Sequence, residues 1–277
     1  MTFITQPASV YTPAELAELF NLGFAGYFMP VNFSEEAFRA FVERDGVDLN
    51  VSRVLLAEGD PAGLALIARR GPVSRLAAMG LVAGARGRGA GSWLMGELLA
   101  ESRKRGERRM FLEVIARNEP AIRLYEKSGF TKLRRLLGFS ADSPSGKADP
   151  GFQPCTLGEV IRAFEDHSLP DLPWQVDAVT LICLTGPTFA FRLGAAYLAV
   201  SDPQAGTVVV RSLVCDAAGE GQEQAARLLS SLFATYPGKA WRVPPIFPEE
   251  MAGIFAGAGM KQDELSQWQM VCRFYDQ

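Results

Sequence analysis

Among the residues whose types and spacing could do chemistry, the run Arg86-Gly87-Arg88-Gly89-Ala90-Gly91-Ser92 comes first, because a strand is expected to end just before it and a helix to begin within it. Glycines let the backbone come close to a ligand. The unpaired N–H groups of a helix's first turn converge there with the positive end of its dipole. Such a turn is an anion site. It lacks the GxxxxGK[ST] of a P-loop, and Ser92 stands where GxGxxG requires its last glycine, so neither nucleotide fingerprint is met. A second feature is Glu113, a carboxylate between Leu112 and Val114 on an otherwise apolar stretch. Burial there would raise its pKa toward a useful range for proton transfer, whereas a Glu facing solvent or pairing with an Arg would be inert.

Elements that could position these groups can be read around them. Thr12-Pro13-Ala14-Glu15 gives a helix start with a Thr cap and Pro in the first turn, followed by Leu16, Leu19 and Phe20 at helical spacing. A second helix is expected from Ser34, burying Ala37, Phe38 and Phe41. Strands are expected over 53–58, 63–69 and 75–82, separated by turns at Gly59-Asp60-Pro61 and Gly71-Pro72. A helix over 89–104, a strand over 110–115 and a helix over 119–128 follow, the last stopped by Gly129. The order is helices, an antiparallel meander, then strand-helix-strand-helix.

Arg86-x-x-Gly89-x-Gly91 after a strand and before a helix, with Met79-Gly80-Leu81 preceding it, resembles the [Q/R]xxGx[G/A] signature of the GCN5-related N-acetyltransferases, the GNAT family. The resemblance resumes in residues 111–130, which include Leu112-Glu113-Val114, Asn118-Glu119-Pro120 and Tyr125-Glu126-Lys127-Ser128-Gly129-Phe130. Ala83 departs from the pattern, many members having Pro there. The resemblance implies acetyl-CoA as co-substrate and no metal. The backbone of Met79, Gly80 and Leu81 would bind the pantetheine arm. Arg86, Gly87, Arg88, Gly89, Ala90, Gly91 and Ser92 would form the diphosphate turn, and Asn118 would contact the cofactor. Tyr125 would contact the cofactor and protonate the departing thiolate, for which a phenol of pKa near 10 is a suitable acid. In relatives that acetylate protein N-termini, a Glu five positions before the Asn is the general base, the position of Glu113. The reaction implied is direct attack of a primary amine, on a small molecule or peptide, with the carbonyl polarised by a backbone N–H. The alternatives are a protein that binds or senses CoA without catalysis and a transferase of longer acyl groups.

The second half repeats the element order, with expected strands at 207–215 and 239–243 and helices at 222–234 and 249–256. Residues 194–200 echo 63–69, and Gly257-Ala258-Gly259-Met260 echoes Lys127-Ser128-Gly129-Phe130. Two matches at nearly one offset indicate a diverged duplication. At that offset Tyr125 becomes Phe255, Asn118 becomes Pro248, and Arg86 to Gly91 become Ala218 to Glu223 with two carboxylates, so the repeat is expected to be degenerate. Residues 138–151 concentrate Gly, Ser, Pro and Asp. The expected division is an α/β (α+β) chain of two GNAT-like domains, each a mixed, mostly antiparallel sheet flanked by helices: a catalytic domain 1–140, a linker 141–150 and a degenerate domain 151–277.

The 277 residues carry a net charge of −3, with 48% hydrophobic and 21% charged residues. That composition suits a folded globular protein and argues against a nucleic-acid coat. Charge is nonetheless local: residues 86–109 hold seven basic and three acidic side chains, which suits a polyanionic ligand. No secretory signal or apolar run of spanning length is visible, so a cytoplasmic protein without membrane partners is expected. Cys155, Cys183, Cys215 and Cys272 are widely spaced and expected as buried reduced thiols, and His167 is the single histidine. The acceptor is expected to be chosen by residues 21–44 and by what the second domain contributes, with Phe24, Tyr27, Phe28 and Phe33 as candidates for its pocket.

Overall fold

The computed structural model describes residues 2–184, 186–216 and 220–274. By packing, the chain forms two compact units, Met1–Leu133 with Trp268–Gln277, and Arg134–Gln267.

The first unit runs β1 (Phe3–Pro7), α1 (Pro13–Gly23), α2 (Glu35–Asp45), β2 (Arg53–Ala57), β3 (Asp60–Arg70), β4 (Val73–Leu81), α3 (Ala90–Lys104), β5 (Arg109–Ile115) and α4 (Glu119–Lys127). Its helices start where side chains can satisfy the first free N–H groups. Thr12 and Glu15 form a reciprocal capping box on α1, and the Ser34 hydroxyl accepts the N–H of Ala37 on α2. The sheet order is β1-β2-β3-β4-β5, antiparallel except for the parallel pair β4 and β5, which α3 connects.

Alternation along the strands sends side chains to two cores. Val54, Leu64 and Leu66 pack with Leu16, Phe20 and Phe38 of α1 and α2. Leu55, Ala65, Ile67 and Leu112 pack with Leu94 and Leu98 of α3 and Tyr125 of α4. The same core takes Met270 and Cys272 from the end of β12 (Lys261–Arg273), the neighbour of β5, and Phe274 beyond it.

The second unit repeats that order with β7 (Gln153–Cys155), α5 (Leu157–His167), α6 (Ala178–Ile182), β8 (Phe189–Leu193), β9 (Ala196–Val200), β10 (Thr207–Val214), α7 (Gly221–Thr235), β11 (Ala240–Pro248) and α8 (Ala252–Gly257). With β6 (Thr131–Asp142), the sheet order is β6-β11-β10-β9-β8-β7, and β10 and β11 are its parallel pair. Both units are thus mixed, mostly antiparallel sheets with helices, the class expected from the sequence.

Three expectations change in detail. Residues 138–142, expected to break structure, complete β6. Residues 143–151 are no free linker: the N–H of Lys147 donates to Ser230 Oγ at 2.9 Å, that of Asp149 to Ser231 Oγ at 3.0 Å, and the Asp149 carboxylate pairs with Arg227, all on α7. Loop-forming composition reports backbone freedom, not whether the loop is packed. Of the two echoes, Gly129 and Gly259 are equivalent left-handed stops, at φ 93° and 84°. Gly194, at φ 59°, is instead in the turn before β9, whereas Gly63 lies within β3.

Of the four free thiols, Cys215 and Cys272 are buried, Cys155 is half-buried and Cys183 is exposed, so the expected burial fails for Cys183. Among the described residues no helix is long and apolar enough to cross a membrane.

Candidate active site

Parallel pairing of β4 with β5 runs from Val73↔Arg109 to Leu76↔Leu112 and goes no further. At that point β4 holds one extra residue against β3: Leu66 faces Ala78 while Ile67 faces Leu76, leaving Ala77 as a bulge. Bulges bend a strand and re-aim the residues beyond them. Residues 79–81, past the bulge, still pair with β3 on one side and border a cavity of about 560 Å³ on the other. Gly80 allows the end of α1 to close on this strand. A Cβ there would stand 2.9 Å from the Phe24 ring and 3.2 Å from the carbonyl carbon of Gly23.

The glycine-rich turn forms the next wall. Gly87 and Gly89 have φ of 73° and 83°, backbone that side chains rarely adopt, with no atom within 4 Å of where a Cβ would be. Gly89 is the N-cap of α3 and offers no side-chain acceptor, so the first N–H groups of the helix are left for a ligand. Arg86 lines the cavity, but its guanidinium ties the walls together: Nε donates to Leu81 O and Nη2 to Gly23 O, each at 2.8 Å.

Asn118 caps α4, its Oδ1 accepting the N–H of Ala121 at 3.3 Å. Burial raises the pKa of the Tyr27 phenol, and the nearby Asn118 side chain works against that rise. Tyr125, two turns along α4, is 8% exposed and meets Phe130 with ring centroids 5.9 Å apart. Burial pushes its phenol well above the usual range, and nearby Tyr27 adds to the rise.

Met79, Gly80, Leu81, Arg86, Gly87, Gly89, Gly91, Ser92, Asn118 and Tyr125 are therefore brought to one cavity. Arg88 is an exposed residue of the turn outside the lining, and Ala90 is buried beneath it. Glu113 lies elsewhere. Its Oε2 accepts from Arg75 Nε at 2.8 Å, Arg75 also meets Asp45 at 3.1 Å, and the carboxylate is not among the groups lining the cavity. The face of the strand explains this: Met110, Leu112 and Val114 point to the α3–α4 core, and Glu113 alternates to the side of α2. Of the four aromatics considered for the acceptor pocket, Phe24, Tyr27 and Phe28 line the cavity. Phe33 does not, stacking instead on Phe41 at 5.6 Å. That Tyr27 and Asn118 would line one cavity had no signal in the sequence, since they are 91 positions apart.

Residues 15–130 match the family model described as the acetyltransferase (GNAT) family. The N-terminal unit is a GNAT acetyltransferase domain. No curated protein matches the chain. Among solved structures, a GCN5-related N-acetyltransferase from Sphaerobacter thermophilus is 17% identical at a TM-score of 0.68, over 98% of this chain and 95% of that one. A tandem GNAT protein from the clavulanic acid biosynthesis pathway is 12% identical at a TM-score of 0.65, over 100% and 99%. Another GCN5-related N-acetyltransferase, from Anabaena variabilis, is 15% identical at a TM-score of 0.66, over 97% and 72%. At these identities the likeness is one of fold, and it extends along both units.

The second unit keeps the GNAT framework and changes the residues. Phe130 N–H donates to Tyr125 O and Met260 N–H to Phe255 O, each at 3.0 Å, so Phe255 occupies the place of Tyr125. It is fully buried between Phe139 and Phe247. Pro248 ends β11 where Asn118 caps a helix in the first unit. Of the turn 218–223, residues 218 and 219 lie outside the described residues. Gly221 opens α7 so close to Asp216 that a Cβ would stand 2.2 Å from the Asp216 carbonyl oxygen.

Proposed function

We propose that the GNAT unit holds acetyl-CoA in this cavity and moves the acetyl group to a primary amine by direct attack. What carries the reading is the meeting in one cavity of three things: a strand edge freed by the bulge in β4, an uncapped helix start behind open left-handed glycines, and a buried phenol. These fit an elongated co-substrate with an amide-bearing arm, a diphosphate and a thioester. Acetyl-CoA, when bound, supplies an acetyl group already activated for transfer.

The chain's own groups divide the work. Backbone N–H and C=O groups of residues 79–81 bind the arm as an added strand would, and an N–H there polarises the carbonyl. The N–H groups at the start of α3, with the positive dipole end, hold the diphosphate. Asn118 fixes the first turn of α4, and Tyr125 holds a proton at Oη for the departing sulfur. With Glu113 paired to Arg75, the proton of the amine passes to solvent.

Thiol release from acetyl-CoA, measured with a panel of primary amines, tests the reading. Release that depends on an amine, slowed about 100-fold by Tyr125→Phe with acetyl-CoA affinity kept, is expected. Tight acetyl-CoA binding without amine-dependent release would make the protein a sensor.

A further inference from the structure

If the cavity is the acetyl-transfer site, the acceptor amine must reach the thioester near Tyr125, and the wall beside that phenol has a chemistry of its own. Tyr27 stands close to Tyr125, and with Phe24 and Phe28 it lines the cavity from the end of α1 and the segment after it. Their rings form a set braced against one another. Phe24 stacks on Phe20 with centroids 4.4 Å apart, and Tyr27 meets Phe24 edge-on at 5.2 Å and Phe28 at 5.3 Å. Tyr27 and Asn118 line the same cavity, so this wall and the start of α4 border one space. Arg117 lies with its guanidinium 5.8 Å over the Phe28 ring, although Phe28 is 43% exposed. The surface offered to an acceptor is preformed and aromatic.

Its charge is equally informative. Among the described residues no Asp or Glu lines the cavity; its one charged side chain is Arg86, and Arg117 adds a second cation at Phe28. Glu119, beside Asn118, is 74% exposed and pairs with Arg123 at 2.9 Å. A polyamine or aminoglycoside presenting one free amine still carries further ammonium groups. These would give up water here without meeting a carboxylate of the lining, beside the Arg117 guanidinium at Phe28. An aromatic or similarly apolar substituent would instead displace water from ring faces, at a gain.

We infer that the acceptor is a monoamine borne on an aromatic or comparably apolar group, seated against Phe24, Tyr27 and Phe28, and that polycationic amines are excluded. This rests on the acetyl-transfer reading. The test is kcat/KM for acetyl transfer to 2-phenylethylamine, ethylamine, spermidine and kanamycin, by the unaltered protein and by Phe28→Ala. Phenylethylamine is expected to exceed ethylamine and spermidine by about tenfold or more, the gain of one well-placed ring. Phe28→Ala is expected to erase most of that ratio, lowering phenylethylamine about tenfold more than ethylamine. Because Phe28 is partly exposed and outside the buried core, its loss leaves the fold in place, checked by an unchanged melting temperature. Spermidine or kanamycin leading the series, or a ratio indifferent to Phe28→Ala, would overturn the inference and leave acetyl transfer standing. No amine-dependent release with any of the four, or with the wider amine panel, would remove both.

Discussion

Tyr125 keeps its proton near neutral pH because burial penalises the phenolate and Tyr27 stands close by. A folded-state pKa above the unfolded one makes its contribution to stability complete below about pH 10 and lost as pH rises past that value. As proton donor to sulfur it sets no alkaline limit on the rate within the neutral range. With no carboxylate among the described lining residues, the acid side of the kcat/KM profile should belong to the acceptor. Its midpoint is expected to follow the amine's own pKa from one acceptor to the next. A midpoint that stayed fixed across acceptors would point to a base on the protein.

Glu113 shows how far spacing carries. Its distance from Asn118 suggested a base, yet the sequence contained no means of telling which face of a strand covered on both sides a lone carboxylate takes. The structure places it in a buried cluster with Arg75 and Asp45. Glu113→Gln should therefore lower stability by about 1–3 kcal/mol, the cost of weakening a buried charged hydrogen bond, and leave the pH profile where it was. Thermal melting and the same kinetics check this, and a lost acid limb with unchanged melting would restore Glu113 as a base.

Elements were legible where their ends carry side-chain signals. Thr12, Ser34 and Gly129 marked α1, α2 and the end of α4, because caps and left-handed stops are local chemistry. The bulge at Ala77, which opens the cavity, was hidden, since one extra residue in a run of apolar side chains leaves no trace in the pattern. The end of strand β6 was obscured by composition: its tail of Gly, Ser and Asp reads as structure-breaking, though Phe139 within it is buried. Closure of α1 onto β4 is an element-level contact that depends on glycine. Gly80→Ala would press a methyl into the Phe24 ring and displace the aromatic wall. Overpacking of this kind costs about 1–3 kcal/mol, and KM for the acceptor should rise more than the affinity for acetyl-CoA falls. Equal effects on both ligands would mean that the wall and the strand edge do not respond separately.

At the scale of the whole chain, duplication was visible in the order of elements, and degeneracy in the exchange of Tyr125 for Phe255, which equivalent hydrogen bonds confirm as one position. The role of the chain's end was not visible. Met270, Cys272 and Phe274 come after a long polar stretch and lie far in sequence from the core they complete in the first unit. Both units thus have the framework, and one has the cavity in which strand edge, open turn and phenol meet. Calorimetric titration of the full chain with acetyl-CoA tests that claim most directly, using the unaltered protein and Gly87→Asp. Asp tolerates left-handed backbone, finds open space at this position and would set a carboxylate against the diphosphate. The expected result is one molecule bound per chain, with affinity reduced about tenfold or more by the substitution. Two sites per chain, or one site that ignores Gly87→Asp, would contradict the account.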